Sequence, residues 1–196
     1  MSKVSVSNRS SAELLPIMKN TDQWICWAFD SRNDFIPLNI DNYNPRTNRY
    51  ESTNYKNKSI RLDYETAKQK AETDDAIDGI GFVVVDTNIS YIDIDECIKP
   101  FSGEINSEIR DLIAEIDSYV EISISGSGLH VYCRGDTPSY GWTPTSINHD
   151  ISVFDGSWAV VTEDHVAGYP ASVQAKPAKL KEICDEYNID THGGWG

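Results

Sequence analysis

The sequence predicts an α+β fold, and three observations carry that expectation. Short apolar runs recur along the 196 residues and end in turn chemistry, as strands do. Helical spacing of apolar residues is confined to a few segments, chiefly 109–116 and 180–187. Strand pairs and helices are interspersed rather than strictly alternating, which favours a mixed or antiparallel central sheet with flanking helices over a doubly wound parallel one.

Gln23-Trp-Ile-Cys-Trp-Ala-Phe29 is apolar and aromatic enough for a buried strand, and Phe35-Ile-Pro-Leu-Asn39 can pair with it across the polar turn from Asp30 to Asp34. Asn44-Pro-Arg-Thr-Asn48 is a turn, because Pro fixes one backbone angle and Asn tolerates unusual ones. Asp63 offers its side chain as N-cap to a helix ending near Thr73. Strands follow at Gly79–Val85 and Ile89–Asp95, with Asp86-Thr87-Asn88 as the turn of a central hairpin. From Asn106, residues Ile109, Leu112, Ile113 and Ile116 form one face of an amphipathic helix. Tyr119–Ser125 and Leu129–Arg134 are strands around a Gly-Ser-Gly turn, and Ile151–Phe154 pairs with Ser157–Val161. A last helix from Lys176 carries Leu180, Ile183, Cys184 and Tyr187 on one face, with Pro177 in its first turn.

With 39% hydrophobic and 24% charged residues, the chain can bury a sizeable core in one domain, whole or two-lobed. No apolar run approaches the roughly 20 residues that span a membrane. Met1-Ser-Lys-Val-Ser-Val-Ser lacks the hydrophobic core of a secretory signal, so a cytoplasmic location is expected. Neither the four cysteines nor the four histidines show metal-ligand spacing, so any metal must be held by carboxylates. The net charge of -14 opposes indiscriminate nucleic-acid binding. Locally the balance reverses: between Asn42 and Leu62 stand Arg46, Arg49, Lys56, Lys58 and Arg61 against Glu51 alone. Tyr43, Tyr50 and Tyr55 are interleaved with them, the composition of a single-strand track and equally of a solvated polar loop.

Two segments carry chemistry. In Tyr91-Ile-Asp-Ile-Asp-Glu96 strand alternation puts Asp93 and Asp95 on one face, roughly 7 Å apart along the backbone, and the isoleucines in the core. Hard oxygen ligands of this kind suit Mg²⁺ or Mn²⁺, and a pair of such ions serves nucleotidyl transfer; an ordinary wet strand face has the same alternation. Glu121-Ile-Ser-Ile-Ser-Gly-Ser-Gly-Leu-His130 is a strand entering a glycine-rich turn. Gly126 and Gly128 let backbone amides approach an anion, Ser125 and Ser127 add hydroxyls, and His130 can donate to a triphosphate oxygen.

From about Trp24 to His165 the chain resembles the bifunctional primase-polymerase domains of the archaeo-eukaryotic primase superfamily, common in viruses and plasmids. The resemblance rests on the early Trp-rich strand, the turn Asn44-Pro-Arg-Thr-Asn-Arg49, the helix before Asp78-Gly-Ile-Gly-Phe82, the acid pair Asp93 and Asp95, and the Ser- and Gly-rich turn ending at His130. It implies a primase-polymerase core at 1–170, with an amino-terminal lobe at about 1–75 and a catalytic lobe at about 76–170. A carboxy-terminal helix at 171–190 would pack on it, followed by a flexible tail at 191–196.

The third family motif, an acid, Tyr-Asp, an Arg and Thr-Gly, is altered. Ser152 stands at the glutamate, Phe154 at the tyrosine, Asp155 keeps the aspartate, the Arg has no counterpart, and Thr162-Glu163 replaces Thr-Gly. Asp155 is the first choice for third metal ligand and Asp150 the second. The resemblance then implies a template-directed DNA primase/polymerase using nucleoside triphosphates on single-stranded or primed DNA. Asp93, Asp95 and Asp155 would hold Mg²⁺ or Mn²⁺, and Ser125, Gly126, Ser127, Gly128 and His130 the triphosphate. Arg46, Arg49, Lys56, Lys58 and Arg61 would meet nucleic acid. The altered motif leaves a second reading, an inactive module that binds nucleotide or single-stranded DNA in a replication complex. No Gly-x-x-x-x-Gly-Lys-Ser/Thr loop is present, so a helicase would be a separate partner or a fused carboxy-terminal domain.

Overall fold

A computed structural model describes residues 16–136, 141–144 and 150–186. Tyr187 and the expected tail lie outside them.

A short helix α1 (Pro16–Lys19) leads into β1 (Trp24–Phe29). The chain turns at Asp30, whose carboxylate accepts the amides of Arg32 (2.7 Å) and Asp34 (2.9 Å), and returns as β2 (Phe35–Asn44). Trp27 faces Pro37 and Phe29 faces Phe35, so the expected hairpin forms. β3 (Arg49–Ser52) pairs with β2 across a bulge between Asn39 and Tyr43. After a 3-10 turn at Lys58–Ile60, helix α2 (Tyr64–Thr73) begins at Asp63, whose side chain accepts the Thr66 amide at 2.9 Å.

β4 (Gly79–Val83) and β5 (Ile89–Ile94) are followed by α3 (Ser107–Ile116), capped by Asn106. β6 (Tyr119–Ile122), β7 (Leu129–Arg134) and β8 (Gly141–Pro144) come next. β9 (Asp150–Phe154), β10 (Trp158–Val161), β11 (Gln174–Ala175) and α4 (Pro177–Glu186) complete the chain.

Two sheets result. The first runs β10-β4-β1-β2-β3; the second runs β11-β7-β5-β9-β8, with β6 also paired to β7. Two expected hairpins are thereby corrected. β4 does not pair with β5, nor β9 with β10; instead β4 pairs with β10 in one sheet and β5 with β9 in the other. Among the described residues the chain thus passes between sheets three times, at 84–88, 155–157 and 162–173. The first two passages are tied together where the Val84 amide donates to the Ser157 carbonyl (3.0 Å). β4 and β10 complete the first sheet.

The core divides into clusters, and the one around the first sheet also takes in Tyr91, Tyr119 and Tyr132 of the second. Trp24, Cys26, Ile80 and Phe82 pack under Tyr64 and Ala67 of α2. Ile92, Ile94, Val131 and Val153 pack under Ile109, Leu112, Ile113 and Ile116 of α3 and under Leu180, Ile183 and Cys184 of α4. The α3 side chains sit where the helical period placed them, and each contributes about 1.5–3 kcal/mol by burial. All four cysteines are buried and reduced. Among the described residues no helix is long and apolar enough to cross a membrane.

Candidate functional site

β5 lies between β7 and β9, and its alternation sends Ile92 and Ile94 into the core and turns Asp93 and Asp95 to the opposite face. The register then builds a polar row across that face. Glu121 on β6 faces His130 on β7, His130 faces Asp93, and Asp93 faces Ser152 on β9. Asp93, Asp95, Ser123, Ser125 and His130 open onto one cleft of about 300 Å³. Phe35, Tyr91, Ile124, Trp158 and Val160 supply its apolar side. The cleft therefore lies at the junction of the sheets, with carboxylates from the second and aromatic side chains largely from the first. Trp158 fits there because Gly81 is bare: a Cβ on Gly81 would meet its ring at 2.7 Å.

His130 is held from both sides. Its Nδ1 is 3.3 Å from Glu121 Oε1, and its Nε2 is 3.7 Å from Asp93 Oδ1. Burial pulls its pKa down, but the hydrogen bond to Glu121 and the charges of Glu121, Asp93 and Asp95 outweigh burial and raise it above the ordinary histidine value. Burial raises the Asp93 carboxyl above its usual range; His130 opposes that and Asp95 adds to it.

The glycine-rich turn is closed by its own hydrogen bonds. The Gly126 amide donates to the Ser123 carbonyl (2.9 Å), that of Ser127 to Ser125 Oγ (3.2 Å), and that of Gly128 to Ser123 Oγ (3.1 Å). These amides are engaged inside the turn, and Gly126, Ser127 and Gly128 are not among the cleft-lining residues. Gly128 has another role: a Cβ there would meet the Ile94 carbonyl oxygen at 2.7 Å and lie 3.4 Å from Asp95 Cα. The bare backbone lets the turn press against β5 beside the carboxylates. What the turn presents is a chain of hydroxyls, Ser123 to Ser125 at 3.0 Å and Ser125 to Ser127 at 2.9 Å.

Ser152, 6% exposed, puts a hydroxyl directly across from Asp93. Asp155 lies three residues further on, roughly 10 Å at strand rise, in the bend leading to β10, and is not among the cleft-lining residues. Ile94 pairs with Ile151, and the backbone of Asp150 precedes that pair as the first residue of β9. Among the described residues no group of three or more His, Cys, Asp or Glu side chains is arranged to hold an ion. Asp93 and Asp95 still fit a hard divalent cation, because Mg²⁺ commonly takes one or two carboxylates and completes its shell with substrate phosphates and water.

The basic tract divides. Arg46, Arg49 and Lys56 are exposed, on the β2–β3 turn, at the start of β3 and on the loop after it. Lys58 pairs with Asp86 at 3.0 Å. Arg61, its side chain only 7% exposed, donates to Gln23 Oε1 at 2.6 Å and lies 3.9 Å from Asp86, so it is not a surface cation.

Sequence reasoning missed Glu121, which is 0% exposed. A glutamate in a strand entering a turn reads as a wet-face residue; the tyrosines at 119 and 132 that line its place were the only local signal.

No protein-family model matches the chain. It is 32% identical over 142 residues to a DNA primase-polymerase of Nitratiruptor phage NrS-1, a match covering 72% of this chain and 18% of the phage protein. The chain thus corresponds to less than a fifth of that relative, and the match supports a primase-polymerase relationship.

Proposed function

We propose that this chain is the nucleotidyl-transfer unit of a DNA primase-polymerase, joining a nucleoside triphosphate to a 3′-hydroxyl on a DNA template. The observation that carries the reading is the convergence of Asp93, Asp95, Ser125 and His130 on one cleft, in a chain similar to a phage primase-polymerase. In this reaction the 3′-oxygen bonds to the α-phosphorus and pyrophosphate leaves. Asp93 and Asp95 would hold Mg²⁺ or Mn²⁺, which neutralises charge on the triphosphate. His130 turns Nε2 to the cleft to meet a phosphate oxygen, and the Ser123 and Ser125 hydroxyls bind beside it. The apolar side, from Phe35 to Trp158, shields the reacting groups from water. Catalysis is then chiefly positioning and preorganised charge. A second ion would need a further carboxylate, for which Asp155 and then Asp150 are the candidates.

One observation favours a second reading, a module that binds nucleotide without turning it over: the hydroxyl of Ser152, at the position of the glutamate in the family that the chain resembles, lies across from Asp93. Primer extension or dinucleotide synthesis with Mn²⁺ or Mg²⁺ separates the two. Product from the wild type that disappears in Asp93→Ala with Asp95→Ala supports the enzyme. Product undiminished in that double variant sinks it, and nucleotide binding without any product supports the module.

A further inference from the structure

We propose that Glu121 is the positioning residue of this site: its buried carboxylate orients the His130 ring so that Nε2 faces the cleft. The inference rests on the reading above that His130 meets the triphosphate.

Five donors converge on Glu121. Oε1 accepts the Thr162 amide (3.0 Å), the Tyr132 hydroxyl (3.4 Å) and His130 Nδ1 (3.3 Å). Oε2 accepts the Glu163 amide (3.0 Å) and the Tyr119 hydroxyl (3.1 Å). A buried carboxylate without partners is strongly destabilising, whereas one with donors at both oxygens is held in a single orientation. Two of those donors are backbone amides of consecutive residues and cannot rotate away. They aim at Glu121 because Glu163 adopts a left-handed backbone, φ 59°. The Glu163 side chain is itself fastened, to Lys68 (2.6 Å), Tyr64 (2.6 Å) and Lys19 (3.2 Å).

Positioning follows from the number of donors. With an acceptor fixed at Oε1, the imidazole is held by Nδ1, and the ring then has one free edge, Nε2, on the side of Asp93. Histidines that act in functional sites commonly have their second nitrogen set by such an outer partner. Glutamine cannot substitute, because its amide group would turn an NH₂ against either the Glu163 amide or the Oε1 donors.

Two measurements test this. In the wild-type chain, nitrogen-15 imidazole spectroscopy should show a slowly exchanging Nδ1 proton on His130, assigned by its loss in His130→Gln. A His130 with no Nδ1 proton overturns the proposal, whether or not any variant folds. In a double-mutant cycle, binding of deoxyadenosine triphosphate with Mn²⁺ should weaken on the order of 10-fold or more in Glu121→Gln. The same substitution should add nothing in a His130→Ala background; additive losses would make Glu121 merely structural and overturn the proposal. If the Nδ1 proton is present in the wild type and lost in Glu121→Gln, while neither Glu121→Gln nor His130→Ala alters nucleotide binding, the Glu121–His130 pairing stands. The nucleotide reading of the cleft then fails.

Discussion

Asp93 on β5 and His130 on β7 are direct cross-strand partners, yet Asp93 Oδ1 stands 3.7 Å from His130 Nε2. That separation exceeds a hydrogen bond, so the pair attracts by charge and leaves both groups able to engage a ligand. Its energetic trace is in the pH dependence of stability.

The Asp93 carboxyl is held above the usual range, so the folded chain binds that proton more tightly than the unfolded chain. Stability is therefore lost as pH rises past the ordinary aspartate value of 3.8 towards the raised folded value. Asp93→Asn removes the loss. Its melting temperature at pH 7 is expected above that of the wild type, with the gain vanishing below pH 3.8; a less stable variant at pH 7 would count against the burial argument.

Glu163 makes the opposite use of charge. Burial raises its pKa, but the hydrogen bonds and charges of Lys68, Tyr64 and Lys19 outweigh that and lower it. Its contribution is thus present above the ordinary glutamate value of 4.5 and is lost as pH falls through the folded value. Removing the side chain should cost about 1.5–3 kcal/mol. Because φ is 59°, Glu163→Gly should be the milder variant by about 1–2 kcal/mol relative to Glu163→Ala. Denaturant unfolding of the two reads the difference, and an alanine variant at least as stable as the glycine one contradicts it.

Gly128→Ala puts a methyl group against the Ile94 carbonyl, and the turn must back away from Asp95. Overpacking of this kind costs about 1–3 kcal/mol. Nucleotide affinity should fall in a chain that still folds, read by titration with deoxyadenosine triphosphate and by thermal unfolding. Unchanged affinity would show that the Ser123–Ser125 hydroxyls do not depend on the close approach.

The exposed and buried arginines should separate. Arg46→Ala with Arg49→Ala is expected to weaken single-stranded DNA binding and flatten its log–log salt dependence by roughly 0.7 for each phosphate that is no longer neutralised, without changing stability. Arg61→Ala is expected to lower stability by about 1–3 kcal/mol, because the hydrogen bond to Gln23 goes with the guanidinium. A larger effect of Arg61 than of the exposed pair on the salt slope would contradict the division.

Local signals were legible in the sequence. The Asp30–Asp34 hairpin, the Asp63 cap, the apolar face of α3 and the strand–turn–strand ending at His130 are all encoded within about ten residues of themselves. Pairing between distant strands was not. Asp86-Thr87-Asn88 has the residues of a hairpin turn, but the same residues serve a passage between sheets, and the choice is made by β4 meeting β10 some 80 residues away. β3, β8 and β11 lack any strong apolar run and exist because a neighbour offers an edge.

The site divides in the same way. Asp93, Asp95, Ser125 and His130 were visible because alternation and a Gly-Ser turn are local patterns. Glu121 was hidden because its burial depends on the Thr162-Glu163 turn, 41 and 42 residues on. The glycine pattern suggested an anion cradle; that Gly128 is also bare where β5 comes close depends on a contact between distant segments that the pattern does not carry.

The most direct test is Mn²⁺ binding, followed by electron spin resonance, in the wild type and in Asp93→Ala with Asp95→Ala, each with and without a non-hydrolysable deoxynucleoside triphosphate. The wild type should bind Mn²⁺ on the order of 10-fold or more tightly when the triphosphate is present, as expected where substrate phosphates complete the ion's shell, and the double variant should lose that enhancement. Equal enhancement in both proteins would contradict a nucleotide site built on Asp93 and Asp95.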